Sequence, residues 1–160
     1  MGEMLSRLGN DTLPQVVVEM FTHWCIWGQA RPALVTVLHR ANLNNLAETV
    51  MNSHEARAII QIGSEANTEI KALRVQADPL GMSAAEAATF EFTRMAGAVG
   101  NNTIDAETVA FFAARVCGWA GWAATDFTDP NAKRTSEARA RDEQEQQLQQ
   151  LVNEHTASAG

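Results

Sequence analysis

The sequence predicts an all-α fold, a single-domain bundle of roughly five to seven helices around one central apolar helix. Three observations carry this. The stretch 106–127, AETVAFFAARVCGWAGWAATDF, is non-polar on nearly every side, with Arg115 as its only internal charge. A helix of that kind is covered by neighbours on several sides. Apolar residues also recur at helical spacing in the flanking segments, between recognisable caps and turns. No strand signal competes, because Val16–Val18 is the only β-branched run and lies inside a helical period.

Along the chain, residues 1–11 read as a flexible lead-in with one turn at Met4–Leu8, and 12–155 as the helical domain. Thr12 with Gln15 fits a capping box, with Pro14 in the first turn. The helix that follows spaces Val16, Val17, Met20, Phe21, Trp24 and Trp27 by three and four, and Gly28 and Pro32 punctuate it. A second helix, Pro32 to Ala41, offers Leu34, Val37 and Leu38. Asn42, Asn44 and Asn45 break the chain before a short helix with Leu46, Ala47, Val50 and Met51. Ser53 is placed to cap a helix over 54–77 that carries Ile59, Ile60, Gly63, Ile70 and Leu73 on one face. After the turn at Asp78–Gly81, Ser83 with Glu86 is the clearest capping box, opening a helix with Ala85, Ala88, Phe92 and Met95 inward. Thr103 or Asp105 starts the central helix. Its Ala, Cys and Gly side (110, 114, 117, 118, 121, 124) lets a neighbouring backbone approach closely. The polar final helix spans 130–155 with Leu148, Leu151 and Val152 as its large apolar residues. Its i,i+4 pairs Glu137–Arg141, Arg141–Glu145 and Arg139–Glu143 support exposure. Residues 156–160 read as a frayed tail.

The totals narrow the function. A chain of 160 residues buries a real core, and 19 acidic against 12 basic residues give a net charge of −7. That balance disfavours non-specific nucleic-acid binding. The central segment is short for a membrane span and interrupted by Arg115. The N-terminus has no basic stretch followed by an apolar run, and both cysteines, Cys25 and Cys117, sit in apolar helical contexts that suit reduced, buried thiols. The expectation is a cytoplasmic protein.

No motif assigns a catalytic residue, a metal ligand or a cofactor. Glu19 and His23 are four apart, a spacing that serves a metal less often than a surface pair. No serine lies in a Gly-x-Ser-x-Gly context, and no glycine-rich phosphate loop follows a strand. The tryptophans fall as two pairs, Trp24 with Trp27 and Trp119 with Trp122. Two readings of them stand: a shared aromatic core, with Trp119 and its neighbours enclosed by helices, or the lining of a ligand pocket served by His23 or Cys25.

The stretches HWCIWGQARPAL and AARVCGWAGWAATDF, with the polar SEARARDEQEQQLQQLV after them, resemble the helical immunity proteins of bacterial toxin–immunity systems, the Imm5-like group. The resemblance spans 20–152 and rests on texture: an early Trp- and Cys-rich helix, Ala-rich helices interrupted by single aromatics, and a charged final helix. It implies a non-enzymatic protein that binds and blocks a cognate toxin. Charge complementarity to a basic toxin then points to the acidic residues around the last core helices, Glu86, Glu91, Asp105, Glu107, Asp126 and Asp129, as the partner-binding face. The alternatives are an assembly protein whose final helix pairs with another chain, as in a homodimer, and the Trp-pocket binder or enzyme.

Overall fold

The computed structural model describes residues 3–8, 12–53, 79–98, 105–126 and 128–159, and no strand occurs among them. In chain order the helices are α1 (Glu3–Ser6), α2 (Gln15–His23), α3 (Arg31–Arg40), α4 (Asn44–Met51), α5 (Pro79–Gly97), α6 (Ala106–Ala124) and α7 (Asn131–Ala159). A π-helical segment, Trp24–Ala30, joins α2 to α3 without a break. The fold is therefore the all-α bundle that the periodicity predicts. α6 packs against α7, α5, α3, α2 and the π segment, which makes it the hub.

The π segment is the main departure from the expected layout. The buried stripe reads Val17, Phe21, Cys25, Ala30, Leu34 and Leu38, so it steps by four, then five, then four. A π turn carries i→i+5 bonds, and the five-residue step keeps the stripe pointing at the core. Pro32 gives the local cause. It lacks an N–H, and its ring fills the space of the carbonyl four residues back, which a tight α turn does not tolerate. Gly28 and Pro32 thus widen the helix rather than end it. The stripe is also rotated from the expected one, because Val17 and Phe21 are inside while Val16 and Met20 are outside.

At the end of α3, Asn42 takes a left-handed φ of 64°. The Leu43 N–H reaches back to the Leu38 carbonyl at 2.9 Å, a Schellman closure, and Leu43 is buried. This is the break the asparagines predict. The helix expected over 54–77, with its Ser53 cap, lies outside the described residues.

Two capping boxes do not form. Pro14, in extended backbone at the head of α2, has no side-chain cap, and Thr12 instead accepts from Arg7 Nε at 3.4 Å. α5 already begins at Pro79, which places Ser83 inside the helix. Proline pre-sets the first helical φ and needs no donor there, so it outcompetes a serine one turn later. Asp105 does cap α6, accepting from the Thr108 N–H at 3.1 Å and the Thr108 hydroxyl at 2.6 Å.

Near both chain ends the described residues make contacts with the bundle. Met4 and Leu5 are buried, and the Glu145 carboxylate accepts from their N–H groups at 2.6 and 2.9 Å. These are orphan donors of a helix start, satisfied from the far end of the chain. Met4 and Leu5 are therefore docked on α7. α7 itself runs on to Ala159 and turns Ala140, Gln144, Leu148 and Leu151 inward.

Candidate interaction surface

The six acidic residues expected to form one face do not meet. α6 has 19 residues, and Asp105 and Asp126 flank it roughly 30 Å apart along its axis. Asp105 caps α6 from an exposed position, and Asp129 accepts from the Asn131 N–H at 3.0 Å at the head of α7. Asp126, at a left-handed φ of 54°, pairs with Arg40 at 2.7 Å and ties the end of α3 to that of α6. Glu107 is exposed, and Glu86 is half-buried on α5. Glu91 is buried, so it cannot touch a partner. Its carboxylate accepts from Arg115 Nε and, at 2.6 Å, from the Trp119 indole N–H. A buried carboxylate needs such partners, and sequence spacing alone did not reveal that α5 and α6 bring them together.

The thiols are structural. Burial pushes the Cys25 thiol far up and the Cys117 thiol up to about 12 from an ordinary 9.0. Cys117 Sγ donates to the Gln29 carbonyl at 3.8 Å. Both remain protonated at neutral pH, and neither is a ready nucleophile. The consequence for stability has a definite sign. Above pH 9 the unfolded thiols release protons that the folded ones keep, so the unfolded state is favoured. Stability should fall with rising pH from about 9 upward, by up to about 1.4 kcal/mol per pH unit per thiol. Denaturant titrations of wild type and Cys25→Ala between neutral and alkaline pH check this. An identical slope in both would exclude Cys25 as a source.

All four tryptophans are half-buried at the edge of the core. Phe21 stacks on Trp24 with centroids 6.2 Å apart, and Trp119 and Trp122 tilt together at 5.9 Å, with Lys133 Nζ 4.7 Å over Trp119. Trp119 is thus packed but not enclosed on every side. Among the described residues, no group of three His, Cys, Asp or Glu is arranged to hold a metal ion. No helix of the described residues is long and apolar enough to cross a membrane.

What the surface does offer is apolar. On α2, Val16 and Met20 stand one turn apart, 46% and 50% exposed. The ridge continues through exposed His23 to Trp27, whose ring lies 6.4 Å from the imidazole. The Arg31 guanidinium lies over that indole at 5.2 Å and is itself held by a 2.8 Å bond to the Ser53 carbonyl. The second apolar surface lies between α5 and α6, where Phe90 is 57% and Phe111 46% exposed.

No known family, curated protein or solved structure matches the chain.

The ridge on α2 escaped the periodicity because Val16, Val17 and Met20 fit an inward stripe as well as an outward one. Only the five-residue step across the π segment fixes the phase. The signal that could have exposed it is Pro32, four residues after Gly28 in a stretch that otherwise reads as one helix.

Proposed function

We propose that the protein is a non-enzymatic inhibitor that neutralises a cognate bacterial toxin by direct binding, with the α2 ridge as its docking face. The observation that carries this is the line of exposed Val16, Met20 and His23 leading to half-buried Trp27, which Arg31 braces. Met, Trp and Arg are enriched where proteins bind one another, and a fixed aromatic anchor loses little entropy on association. The same segment, HWCIWGQARPAL, carries the resemblance to immunity proteins, and π turns concentrate at functional sites. The chemically capable side chains are meanwhile spent on structure: both thiols stay protonated and Glu91 is committed to Arg115 and Trp119. The net charge of −7 would speed encounter with a basic toxin.

The test uses the product of the neighbouring gene. Co-expression should restore growth to cells producing it, and the two purified proteins should form a stoichiometric complex. Met20→Glu and Trp27→Ala should each weaken that complex about tenfold or more with unchanged helicity. Unrelieved growth arrest together with no complex between the purified proteins would overturn the proposal.

A further inference from the structure

We propose that the α5–α6 face is a self-association surface, taking a second copy of this chain about a two-fold axis. Phe90, Thr93, Arg94, Ala98, Asp105 and Thr108, with Phe112, line an open groove of about 380 Å³ there. Phe90 stands at its rim with the Arg94 guanidinium 5.1 Å over the ring. Phe111 flanks it, in edge contact with Phe112 at 5.2 Å.

Charge identifies the occupant. The molecule as a whole carries −7, so two copies repel one another on net charge. The groove is an exception. Among the described residues its lining holds one cation, Arg94, and one anion, Asp105, and the adjacent Arg115 is matched by Glu91. Among the described residues no carboxylate lies within ion-pair distance of Arg94. A two-fold axis that sets Arg94 of one copy against Asp105 of the other makes that contact twice. Phe90 then enters the facing groove. An acidic or a basic foreign partner would satisfy only one of the two charges.

Sedimentation velocity on the full chain over a wide concentration series tests this. Wild type should show a concentration-dependent dimer. Phe90→Glu, at an exposed position, should raise the dissociation constant about tenfold or more while leaving the circular dichroism unchanged. Arg94→Asp and Asp105→Arg should each be monomeric alone and should dimerise when mixed, because the mixed pair restores both contacts. Circular dichroism of Asp105→Arg checks that losing the α6 cap has not unfolded it. If it has, Asp105→Asn, mixed with nothing, should still weaken the dimer. A monomer at every concentration, or a dimer indifferent to Phe90→Glu, overturns the proposal. So does failure of two folded charge variants to pair.

Discussion

Gly121→Ala should lower stability by about 2–3 kcal/mol, although alanine is the better helix former by about 1 kcal/mol. A methyl group at this position would lie 1.8 Å from Ser136 Oγ, 2.4 Å from Ser136 Cβ and 3.0 Å from the Ala132 carbonyl oxygen. The hydroxyl can rotate away. The Cβ and the carbonyl cannot, because they belong to the frame of α7, so the helix must shift as a body. α6 rests more of its length on α7 than on any other helix, and that shift would loosen contacts well beyond Gly121. For a chain of this size the loss corresponds to a fall in Tm of roughly 5–10 °C.

The neighbouring glycine supplies the comparison. A methyl at Gly118 would meet Lys133 O at 3.0 Å, Lys133 Cγ at 3.3 Å and Glu137 Cβ at 3.4 Å. The encroachment is slight and the propensity gain opposes it, so Gly118→Ala should change stability by less than about 1 kcal/mol. Adding Ser136→Gly to Gly121→Ala should recover most of the loss, since both nearest atoms then disappear. Thermal melts of the four proteins decide the matter. A Gly121→Ala variant as stable as wild type would mean that α7 yields at Ser136 without cost.

That close approach is also the part of the architecture most legible beforehand. The Ala, Cys and Gly side of the central stretch announces that a neighbour comes near, and α7 occupies that side at Gly118 and Gly121. Leu34, Val37 and Leu38 declare the inward face of α3, and Asp105 declares the start of α6, because each depends on residues within one turn of itself. The misses share a different cause. Glu91 looks like a surface acid until Arg115 and Trp119, on another helix, arrive beside it. Met4 and Leu5 look like a free end until Glu145 caps them from across the molecule. Val16 and Met20 look inward until a proline downstream changes the helical phase. In each case the deciding partner lies beyond the reach of local spacing, so the pattern specifies helices and core more fully than it specifies which polar and apolar groups reach the outside. The six acidic residues around the last core helices show this most clearly. Counting charge near two helices ignores that helix ends consume carboxylates as caps and that a long helix holds its two ends far apart.

Gln144→Ala should be the other severe substitution, costing about 3–5 kcal/mol, in a helix whose composition reads as solvent-facing. Gln144 is fully buried. Its amide nitrogen donates to Gln29 Oε1 and to the Ala110 carbonyl, both at 2.7 Å, and its oxygen accepts from Arg141 Nη1 at 2.9 Å. Gln29 in turn donates to the Ala140 carbonyl at 2.9 Å. One amide thus fastens the π segment, α6 and α7 together, with both of its N–H groups used. Truncation leaves Gln29 Oε1 without its donor and the Ala110 carbonyl with its helical donor alone, removes an acceptor from a half-buried guanidinium whose pKa burial already lowers, and opens a cavity. Gln144→Met fills the space but leaves Gln29 Oε1 stranded, so it should cost about 1–3 kcal/mol. Gln29→Leu combined with Gln144→Met removes donor and acceptor together, and should cost less than the sum of the two single changes by about 1 kcal/mol or more. Urea titrations of the four proteins give that coupling directly. Amide hydrogen exchange across Trp24–Ala30 should quicken in Gln144→Ala before the rest of the bundle responds, because the network's only side-chain contribution from the π segment is Gln29. Strict additivity would show that the two glutamines stabilise the bundle independently, and the π segment would then owe its shape to Pro32 and the core stripe alone.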